Sequence, residues 1–328
     1  MLDELKQTIN DLAVKGKGIL AADESNGTIG KRFSLIGLDN TAENRRIYRS
    51  LLAQTEGLED FISGVILFEE TLQQSTDDEM NIAHKFAQKG IVPGIKVDHG
   101  LIPLFAGSME NATQGLDGLA ERLETYKKQG ARFAKWRCVY TISQSLPSEY
   151  AIHHNAETLA RYARICQDHQ IVPIVEPEVL MDGAHTLAQC EIVTARVLKA
   201  VFASLNKHHV DLSTMILKPN MVVPGKSCVQ KSTPEEVAAA TVRVLKDCVP
   251  AVVPSIKFLS GGQSAEEATK HLKLINEHPE QLPWLLSFSF GRALQADCLH
   301  AWSGQENFIA KAQEVLLNVA KANGEVVV

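Results

Sequence analysis

Met215-Ile216-Leu217-Lys218-Pro219-Asn220 carries an amine to the end of a short apolar run and stops the run there. The three apolar residues suit a strand buried on both faces, and Pro219 ends further ladder pairing. An amine held there attacks a carbonyl carbon once it has lost its proton. Taken alone, a lysine at a strand end more often just extends its stem into water. This one has company: Asp23, Lys96, Asp98, Lys135, Arg137, Glu176, Glu178, Ser260 and Arg292 also follow apolar runs. Charges at the ends of buried strands need partners or a polar cavity, because burying an isolated charge is expensive. A ring of lysines, arginines and carboxylates supplies those partners, and its recurrence strand after strand points to a site.

The glycines indicate the ligand. Ser260-Gly261-Gly262 offers backbone N–H groups and a hydroxyl in a bend that a bulky residue could not follow. Ser289-Phe290-Gly291-Arg292 offers a second such turn with a guanidinium, which suits phosphate. Ser25, Thr28, Lys31 and Arg32, in a glycine- and hydroxyl-rich loop over 23–32, form a further anion site. A ligand with a phosphate at each end and a carbonyl between would satisfy the whole ring.

Something must position these groups. Leu2, Leu5, Ile9 and Leu12 recur at helical spacing, so the chain opens with an amphipathic helix. Buried strands are expected at 19–22, 64–68, 91–97, 132–136, 171–175, 215–217, 256–259 and 285–288. Helical segments are expected between them, among them 41–54, 78–88, 116–129, 154–169 and 184–206. Thr233 with Glu236, and Ser264 with Glu267, are capping boxes that open two more. Eight strands, each followed by a helix, with no linker, predict an α/β chain folded as a (β/α)₈ barrel with an extra N-terminal helix, one domain over 1–328. In such a barrel the site lies at the C-terminal strand ends, with phosphate commonly bound after strands seven and eight. The two glycine turns fall there.

Composition narrows the function class. A net charge of -6 with no strongly basic stretch argues against a nucleic-acid surface. The six cysteines show no paired spacing and read as thiols in a reducing compartment. Met1-Leu2-Asp3-Glu4 lacks the basic start of a signal peptide, and no apolar run approaches the roughly 20 residues that span a bilayer. A cytoplasmic protein without membrane contact is expected.

The stretches Ala21-Ala22-Asp23-Glu24-Ser25, Gly94-Ile95-Lys96-Val97-Asp98, Phe133-Ala134-Lys135-Trp136-Arg137, Val175-Glu176-Pro177-Glu178, Leu217-Lys218-Pro219-Asn220, Leu259-Ser260-Gly261-Gly262-Gln263 and Gly291-Arg292-Ala293-Leu294-Gln295 resemble the motif set of class I fructose-bisphosphate aldolase, in order and over nearly the whole chain. The resemblance implies reversible cleavage of fructose 1,6-bisphosphate to dihydroxyacetone phosphate and glyceraldehyde 3-phosphate, in glycolysis and gluconeogenesis, with no cofactor or metal. It implies Lys218 as the Schiff-base lysine, Glu176 as the acid and base of carbinolamine dehydration, Glu178 as its neighbour, and Asp23 as acceptor of the C4 hydroxyl proton. Lys135 and Arg137 would hold the sugar and its distal phosphate. Ser260, Gly261, Gly262, Ser289, Gly291, Arg292 and Arg32 would hold the phosphate nearer the imine, and Ser25, Thr28, Lys31 and Lys96 would line the distal side. For Glu178, Asp98 and Lys96 an ion-pair ring that only orients the others remains open. A homotetramer acting on sugar phosphates is implied as well.

Phe290 and Thr28 stand where the animal enzymes commonly have tyrosine and serine. The sequence ends Asn323-Gly324-Glu325-Val326-Val327-Val328, without the longer tail that ends in tyrosine, so enamine protonation is expected to depend on a barrel group, Glu176 first. Three rivals bear weighing. A transaldolase-like lyase on the same barrel predicts one phosphate site and leaves Lys31-Arg32 with Ser25 unexplained. A zinc-dependent aldolase needs a histidine ligand pattern that the sequence lacks. A phosphosugar-binding scaffold would need neither Lys218 nor Glu176.

Overall fold

The computed structural model describes residues 2–328, the side chain of Leu2 excepted. Helix α1 (Leu2–Leu12) opens the chain as its spacing predicts. Strand β1 (Gly18–Ala22) is followed by α2 (Asn26–Ser34) and α3 (Ala42–Gln54). The other barrel strands are β2 (Ile62–Leu67), β3 (Val92–Lys96), β4 (Phe133–Tyr140), β5 (Val172–Val179), β6 (Ile216–Leu217), β7 (Ser255–Phe258) and β8 (Leu285–Phe290). All eight pair in parallel with their sequence neighbours, and β8 pairs with β1, which closes the barrel.

The barrel has two apolar layers and one polar end. Leu20, Val65, Trp136, Leu217 and Phe288 point outward into a core shared with the surrounding helices. Ile19, Ile66, Val92, Phe133, Ile174 and Ile216 point inward and form a second cluster with Leu5, Ile9 and Leu12 of α1. The extra helix thus seals one end of the barrel with aliphatic side chains. Because strand residues alternate between faces, the next inward positions lie nearer the other end, and on β4, on β5 and at the end of β6 those are the charged Lys135, Glu176 and Lys218. The floor is dry and the mouth is polar.

Several boundaries differ from expectation, each for a local reason. The expected loop over 23–32 is largely helix: Ser25 caps α2 by accepting the Thr28 N–H. The helix expected at 116–129 is shortened to Leu119–Lys128, because Gly118 takes a left-handed conformation with φ 65° at its start. That expected at 154–169 begins earlier, spanning Glu149–Asp168, since Ser148 caps it. Leu187–Lys207 starts at a third capping box, Thr186 with Gln189, and Ile82–Gln88 starts after Asn81. A hairpin, Leu101–Pro103 with Asn111–Thr113, stands where a plain loop after β3 is expected.

The longest departures are β4 and β5, which run on to Tyr140 and Val179 in unbroken register. Pro177 would ordinarily argue against this, having no N–H to donate. Lys218 N–H donates to Val175 C=O at 2.8 Å, so residues of that parity bond toward β6. An N–H at 177 would therefore face the side on which β6 has already ended. No ladder bond is lost there.

Candidate active site

The polar mouth is a cavity of about 310 Å³ at the C-terminal end of the barrel. Of the residues expected at the site, all but Lys31 and Asp98 line it, and Asp98 lies in an adjoining pocket with Lys96 and Arg137. Lys31 is exposed and faces an adjoining groove with Leu35 and His300.

At the centre, Lys218 leaves the end of β6 with 4 % exposure. Its Nζ is 3.0 Å from Glu176 Oε1. Lys135, inside β4 rather than at its end, places Nζ 2.6 Å from Asp23 Oδ2 and 3.4 Å from Glu176 Oε2. Two lysines and two carboxylates therefore alternate in a buried chain, Asp23 to Lys135 to Glu176 to Lys218. Burial alone would raise the Asp23 carboxyl, but Lys135, Lys218 and Lys96 outweigh it and hold Asp23 well below the usual carboxylate range. Burial would likewise lower the Lys135 ammonium, yet Asp23, Glu176 and Asp98 hold it well above an ordinary lysine. Lys135 thus stays a cation and Asp23 an anion.

Around this chain stand two flanking pairs. Arg137 Nε donates to Glu178 Oε2 at 2.5 Å, and Lys96 Nζ lies 2.7 Å from Asp98 Oδ1. Burial would lower Arg137, and Glu178 more than restores its charge. Arg137 and Lys135 share a face of β4 two residues apart, as Glu178 and Glu176 do on β5. Strand periodicity, not loop placement, aims all four inward.

The opposite wall is built for an anion. Gly261 and Gly262 have φ values of 58° and 93°, a region in which a side chain is strained. Gly291 precedes the helix Arg292–Trp302, and a Cβ there would stand 3.2 Å from Ala21 O. The open N-terminus of that helix, Arg292 and the buried Ser289 Oγ, which bonds to no atom of the described residues, line the cavity. Arg32 reaches the same wall from α2, ion-paired to Glu24, which Arg49 and Gln295 also hold.

This geometry matches known proteins along the whole chain. The family model described as glycolytic, fructose-bisphosphate aldolase class-I, matches residues 4–328. A fructose-bisphosphate aldolase of Drosophila melanogaster is 55% identical over 324 residues, covering 98% of this chain and 90% of that protein. Fructose-bisphosphate aldolase C of Homo sapiens is 53% identical over 326 residues, with the same two shares. A solved structure of fructose-bisphosphate aldolase from Plasmodium falciparum, in complex with TRAP and a small-molecule inhibitor, superposes with a TM-score of 0.97 at 51% identity, covering 99% of this chain and 94% of that one.

The chain belongs to the class I fructose-bisphosphate aldolase family. It is an enzyme of the aldehyde-lyase type, and its class works through a lysine Schiff base.

In and behind the aldolase mouth stand residues to which the motifs assign no role. Lys226 lines it and pairs with Asp182 at 3.1 Å. Asn220 is buried, and its Oδ1 accepts the Val179 N–H at 2.9 Å while its Nδ2 donates to Thr194 Oγ1 and Met221 C=O. It ties the turn carrying Lys218 to the strand carrying Glu176. Its place directly after Lys218-Pro219 was the available signal, since asparagine bonds readily to backbone in turns. Lys257 is fully buried inside the barrel, and its place within the apolar run 256–259 was the available signal.

Proposed function

We propose that Lys218 forms the imine with the C2 carbonyl of fructose 1,6-bisphosphate, and that cleavage gives dihydroxyacetone phosphate and glyceraldehyde 3-phosphate in glycolysis and gluconeogenesis. The observation that carries this is the 3.0 Å approach of Lys218 Nζ to a buried carboxylate, Glu176. The amine adds to C2, and the resulting carbinolamine must lose its hydroxyl as water. Glu176 takes the proton that the nitrogen sheds on addition and returns it to the C2 hydroxyl, which leaves as water and gives the iminium. Its Oε2, near Lys135 but accepting no hydrogen bond, is the oxygen able to exchange one. The iminium then withdraws the electron pair of the C3–C4 bond as Asp23 takes the C4 hydroxyl proton. Asp23, held as an anion by Lys135, suits that task.

Ser260, Gly261, Gly262, Ser289, Gly291, Arg292 and Arg32 bind the phosphate nearer the imine. Lys135 and Arg137 hold the sugar and the distal phosphate, with Ser25, Thr28 and Lys96 behind them, Lys31 at the outer edge and Glu178 orienting Arg137. The iminium is the electron sink, so no metal or other cofactor takes part. The protein works as one unit over 1–328, as a homotetramer in the cytoplasm, with sugar phosphates as its small-molecule partners and no nucleic acid. No helix among the described residues is long and apolar enough to cross a membrane.

Borohydride added with dihydroxyacetone phosphate tests the assignment. The reading expects inactivation with the adduct on Lys218, activity that survives a chelator, and Lys218→Met folded but inactive. An adduct on Lys135 or Lys96 would overturn it.

A further inference from the structure

Lys257 lies in the middle of β7, between Ile256 and Phe258, whose side chains face the outer core. By strand alternation its own side chain faces the barrel interior. It is fully buried, and its amine has no hydrogen-bond partner among the described residues. The ladder sets it beside the Schiff-base lysine. β6 and β7 pair Ile216 with Ser255 and Leu217 with Ile256. The Leu259 N–H donates to Pro219 C=O at 3.0 Å, so the register continues and brings Lys218 opposite Lys257. Adjacent strands are about 4.8 Å apart, which makes the two lysines neighbours on one face.

We propose that Lys257 is a positioning residue for imine formation, acting on Lys218 through its charge: neutral, it permits the iminium, and protonated, it opposes it. This rests on Lys218 being the imine lysine. A neutral amine, a ketone and one proton give an iminium and water, so the product places a cation beside Lys257. A second cation there repels it, and by reciprocity imine formation drives off the Lys257 proton.

The surroundings leave Lys257 free to respond. Burial pushes its amine down to about 7, with no neighbouring charge offsetting that effect. β6 presents Lys218 to it, while β8 presents Ser287 and Ser289. Across the barrel, Asp23, Lys135 and Glu176 are engaged with one another and with Lys218. Lys96 and Arg137 are paired to Asp98 and Glu178. The floor below is Leu5, Ile9 and Leu12. Lys257 is therefore the group here that changes charge near neutral pH without a carboxylate to hold it.

The test measures borohydride-trapped adduct on Lys218 with dihydroxyacetone phosphate from pH 8 to pH 6, in the parent and in Lys257→Met. Taking the ratio of the two cancels the titration of the substrate phosphate. The parent-to-variant ratio should fall roughly tenfold from pH 8 to pH 6, as expected for a like charge facing it from the adjacent strand. Lys257→Thr, a β-branched replacement suited to a strand, should give the same profile, so either folded variant suffices. A ratio that stays level while the adduct is on Lys218 overturns this inference and leaves the Schiff-base assignment standing. An adduct on another lysine overturns both.

Discussion

Glu176 bridges two lysines: Oε1 stands 3.0 Å from Lys218 Nζ and Oε2 stands 3.4 Å from Lys135 Nζ. The asymmetry divides the work of one buried carboxylate. In the proposed reaction Oε1 would orient the nucleophile, and Oε2, without a hydrogen bond to any described residue, would exchange the proton. Glu176→Gln keeps the size and removes the exchangeable proton. The prediction is a fall in kcat of about 10²- to 10⁴-fold with little change in KM, and slower trapping at Lys218. A kcat within threefold of the parent would take Glu176 out of the reaction.

Asp23 should separate cleavage from imine formation. Asp23→Asn is predicted to leave borohydride trapping of dihydroxyacetone phosphate near the parent level while cleavage falls about 10²-fold or more. The same carboxyl makes a pH prediction. Its folded value lies below the ordinary 3.8, so its stabilising ion pair is fully present above that value and is lost as pH falls toward the folded one. Unfolding by urea should show a stability gap between parent and variant that is constant from pH 7 to about 5 and narrows below pH 4. A gap that widens in acid would contradict the assigned direction.

How much could be read in the sequence varied with how local the signal was. The eight strands and their apolar faces follow from residue pattern, and Thr233 with Glu236 marks its helix start because the cap is built from nearby residues. Lys218 and Glu176 were legible because strand ends and barrel geometry converge on one place. The continuation of β5 past Pro177 was not, since it depends on where β6, about forty residues later in the chain, happens to stop. Lys31 stands outside the cavity for a related reason. Once 26–34 is a helix, Thr28 and Arg32 reach both the cavity and the adjoining groove, while Lys31 reaches only the groove with Leu35 and His300. Lys257 required the ladder register between two strands, which no motif records.

Asn220 illustrates a residue whose effect on the reaction is indirect. Removing its side chain leaves the Val179 N–H buried without an acceptor and releases the turn that fixes Lys218. Asn220→Ala is predicted to cost about 1–3 kcal/mol in stability. It should also slow imine formation at Lys218 by about tenfold or more, since small displacements of a reacting group are costly. Calorimetry and single-turnover trapping would measure the two effects. Lost stability with unchanged trapping would make Asn220 structural only.

The burial of Lys257 makes a prediction about stability that does not depend on catalysis. In the unfolded chain the amine is protonated up to its ordinary value of 10.5, whereas in the folded chain it gives up its proton at about 7. Between those values the unfolded state binds one more proton than the folded state, so stability rises with pH by about 1.4 kcal/mol per unit from this group. Below pH 7 both states are protonated, and the full penalty of burying the charge opposes folding. Above 10.5 both are neutral and the penalty is gone. Lys257→Met removes the group and keeps an unbranched side chain. The variant should therefore be more stable than the parent at pH 7, with an advantage that shrinks steadily toward pH 10. Other titrating groups cancel in the comparison because both proteins contain them. Urea unfolding at four or five pH values measures that difference directly. A difference independent of pH would mean that Lys257 keeps its proton in the folded barrel, and the charge coupling to Lys218 would lose its basis.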